Sequence, residues 1–375
     1  MSPKEFLFAA IKSQFPWADS PLSCQGEFSR ELILSAYELG AKQDLGHLVA
    51  SAAEGFARSD LKKEFHKQKM IAVFRREQIS FEEKKIFALF DENQIDYIPL
   101  KGSVVKNYYP EAWMRTSSDS DILIRPEDSE KAMKLLTEQA DYRYEGKSLK
   151  DFQFYSQSGV HMELHFSAEC QNEKLDRVLS RIWEQAVRSD GSNRHDLSPE
   201  FLMFHTVAHA LYHFLGGGCG IKPFLDIWVL NNRMKYDKEK LESFLEESQS
   251  EKFYEAFLSL SEVWFKGKEH TELTEKMENY IFEGGVYGNR ENLGKASIHR
   301  DGGRFKYLLR RIFKPRKALE AQYPSLEKRP YLLPFYQIKR WFNLLDKERR
   351  SDVNQELQGG LKRDETLTLF EQLGI

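Results

Sequence analysis

The spacing of apolar residues changes twice along this chain, and this change constrains the fold more than any other sequence feature. Up to about residue 90 the apolar residues recur at helical spacing, as in Phe6, Ala9 and Ala10. Short segments of alternating apolar and polar residues follow, and helical spacing returns from Pro199. The sequence therefore predicts an α+β protein with a small mixed sheet between two helical regions.

We expect an N-terminal helical region at 1–90, a central core at 91–190 and a C-terminal helical domain at 191–375. Ser2-Pro3 predicts the start of a first helix, and Ser80 with Glu83 predicts a capping box that opens a later one. The segments predicted as strands are Tyr97–Leu100, Asp121–Arg125, Tyr142–Tyr144, Phe152–Tyr155 and Val160–Phe166.

Composition excludes several classes of protein. Apolar residues make up 41% of the 375 residues and aromatic residues 13%, which is typical of a globular chain and not of a disordered one. No apolar run approaches the ~20 residues that a membrane-spanning helix needs. Three cysteines are too few for a disulfide framework, and the N-terminus does not resemble a secretory signal, so we expect a cytoplasmic protein without stable membrane insertion.

The net charge of −3 conceals a basic segment. Residues 301–350 contain 14 Lys/Arg and 5 Asp/Glu, a local net charge of +9, so the rest of the chain carries −12. This distribution argues against general nucleic-acid binding but allows a local anion-binding surface. Two interpretations of this segment stay open. It forms a solvated helix surface, or it forms a binding surface for an anionic acceptor or a membrane. We expect its amphipathic face, Ile338, Trp341, Phe342 and Leu345, to pack into the core.

Two aspartates lie two residues apart at the start of a predicted strand. Asp119 and Asp121 therefore project from the same face, a few Å apart, and repel each other unless a cation lies between them. Carboxylate oxygens favour Mg²⁺ or Mn²⁺, and magnesium keeps coordination positions open for phosphate oxygens. The pair is therefore a candidate site for phosphoryl chemistry.

A candidate phosphate-binding turn precedes these aspartates. Gly102 and Ser103 lie between a predicted strand and a short helix, where glycine admits close approach of phosphate oxygens and serine adds a hydroxyl. Lys101 and Arg115 are candidates to neutralise further phosphate charge.

The candidate third acid is Glu163. In the segment 160–165, alternation places Glu163 between His161 and His165 on a polar face, opposite an apolar face. A strand of this kind is suited to cross beneath an active site.

Together these motifs resemble the nucleotidyltransferase superfamily with the DNA polymerase β-like fold. The pattern LKG…YYP…R…SDSDILIRPED…ELHF, within residues 80–235, is most similar to an uncharacterised bacterial nucleotidyltransferase family. Gly102 and Asp119 are 17 positions apart, a spacing that exceeds the general superfamily spacing but is typical of this branch. The resemblance implies a small mixed sheet flanked by helices and followed by an α-helical domain.

The resemblance also implies roles for individual residues. Gly102 and Ser103 would hold the triphosphate of an NTP, Asp119 and Asp121 would bind Mg²⁺ (or Mn²⁺), and Glu163 would activate the acceptor hydroxyl. The implied reaction transfers an NMP from an NTP to an unknown acceptor and releases pyrophosphate. We expect Asp121→Asn to abolish turnover with little loss of stability, because it would relieve like-charge repulsion.

Two alternatives stay open at this point. One is a catalytically silent module that senses nucleotide or binds a partner on the same fold. The other, a kinase-like phosphotransferase, is disfavoured because the sequence has neither a G-x-x-x-x-G-K-[ST] loop nor an H-R-D/D-F-G pair.

Three histidines recur every four residues on one predicted helix. His205, His209 and His213 could in principle chelate zinc, but no HExxH acid or nearby cysteine pair completes such a site. We expect His209 to pack against the catalytic domain or to lie near the nucleotide, and the other two to make partly buried polar contacts.

Overall fold

The computed structural model describes residues 1–19, 22, 28–56, 59–300, 302–320, 323, 325–343 and 365–375. It confirms the predicted α+β class, with a small mixed sheet and helices on both sides of it along the chain. None of the helices in these ranges combines the length and apolar content needed to cross a membrane. The cytoplasmic location stays a prediction.

Among the described residues, four helices precede the sheet: α1 (Pro3–Lys12), α2 (Arg30–Lys42), α3 (Gly46–Ala53) and α4 (Ser59–Glu92). Ser2 caps α1 as predicted, because its hydroxyl accepts from the Glu5 amide while the Glu5 carboxylate accepts from the Ser2 amide. The capping box predicted at Ser80 and Glu83 is wrong. Both residues lie inside the continuous helix α4, and the Glu83 side chain is used for tertiary contacts instead.

The sheet has five strands: β1 (Tyr97–Pro99), β2 (Asp119–Ile124), β3 (Arg143–Lys147), β4 (Asp151–Tyr155) and β5 (His161–His165). Their order is β1-β2-β5-β4-β3, in which β2 and β5 are parallel and the other pairs are antiparallel. The short helices α5 (Gly102–Val105) and α6 (Ser129–Glu138) follow β1 and β2, respectively.

One face of the sheet forms an apolar core. Ile122 and Ile124 of β2 and Met162 and Leu164 of β5 are buried there with residues of α4 and α6, among them Phe90. Since side chains alternate along a strand, burial of these residues directs the intervening acids to the opposite face. The apolar alternation of β2 and β5 thus determines where the candidate site lies.

The chain after the sheet is mostly helical. It contains α7 (Glu173–Leu179), a two-stranded hairpin of β6 (Ala186–Arg188) and β7 (His195–Leu197), α8 (Pro199–Leu215), α9 (Lys222–Arg233), α10 (Lys238–Glu247) and α11 (Glu251–Lys266). Further helices are α12 (Glu272–Gly284), α13 (Arg290–Arg300), α14 (Arg304–Ile312), α15 (Arg316–Glu320), α16 (Ser325–Lys328), α17 (Leu333–Asn343) and α18 (Glu365–Leu373). The hairpin was not predicted from the sequence, because its strands are too short to show alternation.

The described chain divides into two compact units. The first comprises Met1–Ala210 and Ile221–Thr271 and includes the sheet. The second comprises Leu211–Gly220 and Glu272–Ile375. The boundaries predicted near residues 90 and 190 stay a prediction.

In the second unit, the glycine-rich segment after α8 allows close backbone packing. Gly217 and Gly218 both have positive φ angles, of 106° and 158°. A Cβ on Gly218 would lie only 2.9 Å from the Cα of Gly288. Glycine is therefore needed at this position for both conformation and space.

Candidate active site

The three acids predicted from the sequence lie together on one face of the sheet. In the parallel pair of β2 and β5, Asp119 is opposite His161 and Asp121 is opposite Glu163. The potential ligand atoms of Asp119, His161 and Glu163 lie within 4.8 Å of one another, and so do those of Asp121, Glu163 and His165. Residues more than 40 positions apart in sequence thus form one compact cluster.

Lys101 forms an ion pair inside this cluster. Its Nζ lies 2.6 Å from Oδ1 of Asp121, and His165 Nε2 lies 2.8 Å from the same oxygen. His165 Nε2 also lies 3.4 Å from Glu163 Oε2. The sequence indicated Lys101 as a phosphate ligand, but in the structure its ammonium contacts an acid of the cluster.

The backbone at Lys101 is strained. Its φ of 49° and ψ of −122° are rare for a residue with a Cβ and cost about 1–3 kcal/mol. The strained residue of this turn is therefore the same lysine whose ammonium contacts Asp121. Gly102 has no positive φ, so any need for glycine there comes from close approach of another group.

The two aspartates have opposite electrostatic environments. Burial and the neighbouring Asp121 raise the pKa of Asp119. Burial acts in the same direction on Asp121, but the Lys101 ammonium and the hydrogen bond with His165 outweigh it and hold the pKa of Asp121 well below its usual range. One acid is thus stabilised as a carboxylate and the other is not.

Glu163 and His165 stabilise each other's charged form. Burial would raise the pKa of Glu163, but its hydrogen bond with His165 lowers that pKa overall. The pKa of His165 is raised because its hydrogen bonds with Asp121 and Glu163 outweigh burial. Glu163 is therefore an ionised carboxylate at neutral pH, with 19% of its side chain exposed.

The structure brings Gly102 and Arg115 together. A Cβ on Gly102 would lie 3.6 Å from Nη1 of Arg115 and 3.5 Å from the Ser117 hydroxyl. The Arg115 guanidinium also binds Oδ1 of Asp226 through Nε at 2.6 Å. Arg115 thus lies beside the turn, and part of its charge is already neutralised by Asp226, so its role as a phosphate ligand stays a prediction.

The hydroxyl of Ser103 does not point to the acid cluster. It donates to Oε1 of Glu83 at 2.6 Å and lies 3.1 Å from the hydroxyl of Ser120. Ser120 belongs to the opposite face of β2 from Asp119 and Asp121. The Ser103 side chain therefore links the turn to helix α4 through a hydrogen bond.

Glu83 is the centre of a buried network that the sequence analysis missed. Besides the two serines, Arg76 and Lys106 donate to its Oε2 at 2.7 and 2.6 Å. A signal was present, since Arg76 and Glu83 interrupt the inward apolar stripe of α4 at an interval of seven residues. Two opposite charges on a buried helix face indicate an internal ion pair.

The histidines of α8 lie outside the acid clusters. His205 is 5% exposed, and its Nδ1 is buried without a hydrogen-bond partner. His209 is half-buried, with its ring centroid 6.5 Å from that of His205. Among the described residues, the groups that could hold a metal ion contain only residues of β2 and β5, so zinc binding on α8 is not supported.

The acid cluster fits a divalent metal ion. Paired strands hold two groups of donors, Asp119 with His161 and Glu163, and Asp121 with Glu163 and His165, and the donor atoms within each group come close enough to share one ion. The contacts of Asp121 with Lys101 and His165 both use Oδ1, which leaves Oδ2 available. Glu163 belongs to both groups, and Asp119 and Asp121 belong to one group each, so their carboxylate oxygens are donors of the kind that a divalent cation prefers.

The mixed sheet presents clustered acids beside a glycine-containing turn, the arrangement that the resemblance of the sequence motifs implied. Residues 41–266, more than half of the chain, match the model of a family described as uncharacterised nucleotidyltransferase. The chain therefore belongs to this nucleotidyltransferase family, as the sequence motifs indicated.

Two solved structures are also similar to about half of this chain. The antibiotic-resistance factor ANT(2'')-Ia is 14% identical, with a TM-score of 0.35, over 48% of this chain and 95% of that one. An antigenic nucleotidyltransferase-like protein from Paracoccidioides brasiliensis is 15% identical, with a TM-score of 0.31, over 49% of this chain and 91% of that one. No curated protein matches the sequence significantly.

Proposed function

We propose that this protein transfers an NMP from an NTP to an acceptor hydroxyl, with Mg²⁺ as the metal ion and pyrophosphate as the second product. The observation that supports this proposal most strongly is the convergence of Asp119, Asp121 and Glu163 from adjacent parallel strands. Membership of the nucleotidyltransferase family supports the same reaction class.

In this proposal the carboxylates of Asp119 and Asp121 hold the metal, and Glu163 binds it or accepts a proton. A bound divalent ion would stabilise negative charge on the α-phosphate and on the leaving pyrophosphate. Where Glu163 acts as the base, its carboxylate accepts the proton of the acceptor hydroxyl as the new oxygen–phosphorus bond forms. The bond between the α- and β-phosphates breaks, and its electron pair leaves with pyrophosphate.

The turn at Gly102 is proposed to bind the phosphate tail. Arg115 lies beside Gly102 and offers guanidinium hydrogens, while the backbone of Gly102 and Ser103 lies at the start of α5. Lys101 is close enough to the cluster to neutralise charge on a phosphate oxygen after Asp121 binds metal. His209 is proposed as a nucleotide contact from α8.

A specific observation favours the alternative of a silent nucleotide-sensing module. The ion pair of Lys101 with Asp121 neutralises one acid of the cluster without a metal ion. A module of this kind would bind NTP without magnesium and would not release pyrophosphate. The two functions therefore differ in a measurable product.

Label transfer tests the proposed reaction. The purified chain is incubated with Mg²⁺, each α-³²P-labelled NTP and a fractionated extract of small molecules and proteins, and labelled product and pyrophosphate are measured. We expect the parent chain to transfer the label. Glu163→Gln should reduce this transfer at least about a hundredfold, because a group that acts in the transition state is lost. Glu169→Gln, an exposed acid after β5, is the control and should retain full activity. Full activity in Glu163→Gln would contradict its assigned role, and NTP binding without pyrophosphate release would favour the silent module.

A further inference from the structure

Helix α14 turns its apolar side away from the protein. Phe305, Leu309 and Ile312 recur at intervals of four and three residues and therefore lie on one face. Their exposed fractions are 73%, 42% and 46%. Tyr307, on the other side of the helix, is only 3% exposed. This orientation is the reverse of that in an ordinary surface helix, whose apolar stripe faces the core.

Helix α17 has the same inverted orientation. Phe335, Ile338 and Trp341 are 59%, 48% and 37% exposed at intervals of three residues. The polar residues Gln337 and Arg340 are 8% and 9% exposed. The expectation that Ile338 and Trp341 pack into the core is therefore wrong, because polar residues occupy the inward side. The side chains of Phe342 and Leu345 lie outside the described residues.

The two helices present a single surface. The rings of Phe313 and Trp341 are in edge-to-face contact, with centroids 5.7 Å apart. Trp341 Nε1 and Arg340 Nη2 each donate to the carbonyl oxygen of Ile312 at 2.9 Å. We call this surface the α14–α17 face; it consists of Phe305, Leu309, Ile312, Phe313, Phe335, Ile338 and Trp341.

Exposed basic residues alternate along these helices with the residues of the α14–α17 face. Lys306 and Arg310 on α14 and Lys339 on α17 are exposed, within the segment whose net charge is +9, and the exposed Arg316 on α15 is paired with Glu320. A large exposed apolar patch marks an interaction site, and a basic rim favours an anionic partner. The partner must therefore combine an apolar layer with negative charge.

An anionic lipid bilayer has both properties. Aromatic side chains alone would also suit stacking on nucleic-acid bases, but Leu309, Ile312 and Ile338 are aliphatic and offer no stacking surface. Interfacial helices place Phe, Trp and Leu about 5–10 Å into the boundary of headgroups and acyl chains, with Lys and Arg at the phosphates. The residues of the α14–α17 face and its rim match this distribution.

We propose that the α14–α17 face attaches this protein to the surface of an anionic membrane, with both helices lying in the plane of the interface. This attachment is peripheral and needs no membrane-spanning helix. It does not depend on the proposed nucleotidyl transfer.

Vesicle sedimentation of the full chain tests this proposal. The vesicles contain either phosphatidylcholine alone or phosphatidylcholine with about one-third phosphatidylglycerol, a composition whose surface charge attracts basic segments. We expect sedimentation with the anionic vesicles only, and weaker binding as salt rises from about 0.1 to 0.5 M, because salt screens the attraction. Absence of binding to anionic vesicles, or equal binding to neutral ones, would overturn the proposal.

Two pairs of matched variants locate the surface. Leu309→Gln with Ile338→Gln should lower the partition coefficient at least about tenfold, since two apolar side chains no longer enter the lipid. The control, Met70→Gln with Ile71→Gln, changes residues of similar exposure (47% and 49%) on α4 and should leave binding unchanged. Lys306→Gln with Lys339→Gln should weaken binding several-fold, whereas Lys62→Gln with Lys63→Gln on α4 should not.

Other partners give different results. One such result is self-association of the parent chain in sedimentation velocity without vesicle binding. If Leu309→Gln with Ile338→Gln then abolishes that self-association, the face is an interface between copies and the proposal is refuted. Binding of single-stranded RNA through the same residues, again without vesicle binding, would also refute it. All these substitutions are at exposed positions, and circular dichroism checks that each variant is folded.

Discussion

Asp119 and Asp121 are separated by one residue, yet neutralising them should have opposite effects on stability. The raised pKa of Asp119 means that its negative charge destabilises the folded state, whereas the lowered pKa of Asp121 means that its charge stabilises it. The expectation from the sequence, that Asp121→Asn costs little stability, considered only repulsion between the two aspartates. The structure reverses it because Lys101 is paired with Asp121.

In metal-free protein we expect Asp121→Asn to lower the free energy of unfolding by about 3 kcal/mol, as when one partner of a buried ion pair is removed. Asp119→Asn should leave this free energy unchanged or raise it. Urea unfolding at pH 7 in the presence of EDTA measures both variants against the parent chain. Equal losses in the two variants would contradict the electrostatic difference.

His205 makes stability depend on pH in mildly acid solution. Burial lowers its pKa from 6.5 to about 3, so the folded state keeps it neutral while the unfolded state binds a proton below pH 6.5. A lowered histidine pKa therefore removes stability as pH falls, by up to about 1.4 kcal/mol per pH unit. We expect His205→Gln to reduce the loss of unfolding free energy between pH 6.5 and 4.5 by about 2 kcal/mol in total.

Denaturant unfolding at several pH values in that window tests this expectation. His66→Gln, at an exposed histidine on α4, is the control and should keep the slope of the parent chain. If His205→Gln also keeps that slope, His205 is not held neutral in the folded protein.

At the scale of elements, helix α4 connects the N-terminal region with the candidate site. Its residue Glu83 is 3% exposed and accepts hydrogen bonds from the Gly102–Ser103 turn, from β2 and from Lys106. Helix α4 thereby fixes the turn relative to the strand that carries Asp119 and Asp121.

We expect Glu83→Gln to destabilise the protein by about 3–5 kcal/mol, because Arg76 and Lys106 would stay partly or fully buried without their common counter-ion. Glu77→Gln, one exposed acid on the same helix, should change stability by less than about 0.5 kcal/mol. Thermal and urea unfolding of the two variants provide the comparison. A Glu83 variant as stable as the control would show that the network contributes little.

The strands and most helices were predictable because their apolar spacing reflects local burial. The segments predicted at Phe152–Tyr155 and Val160–Phe166 correspond to β4 and β5 within a residue or two. Prediction failed where polar residues with the spacing of a local motif make tertiary contacts instead. Ser80 and Glu83 have the spacing of a capping box, but Ser80 accepts a hydrogen bond from Arg76 within α4, and Glu83 accepts hydrogen bonds from Ser103 of α5 and Ser120 of β2.

At the scale of the whole molecule, binding of a magnesium nucleotide should stabilise the folded chain. At a ligand concentration of about 100 times Kd, the stabilisation is about 3 kcal/mol, which corresponds to a rise in Tm of several degrees. We expect this rise with NTP and Mg²⁺ together, and a much smaller rise with Asp119→Asn, which lacks one proposed metal ligand. Differential scanning fluorimetry measures both.

Control titrations use NTP with EDTA and Mg²⁺ without NTP. An equal rise for NTP with EDTA would favour the silent module, since that function does not need metal. An unchanged Tm in every condition would contradict nucleotide binding at this site.

The amino-acid sequence by itself determined the α+β class, the strands that carry the acids, and Asp119, Asp121 and Glu163 as one candidate cluster. These features depend on alternation and on short motifs, which are local properties of a chain. Only the tertiary structure decided that Lys101 pairs with Asp121, that Ser103 binds Glu83 and that α14 and α17 expose their apolar sides. Such contacts join residues far apart in sequence. The apolar pattern of one helix does not determine which of its sides the neighbouring elements cover.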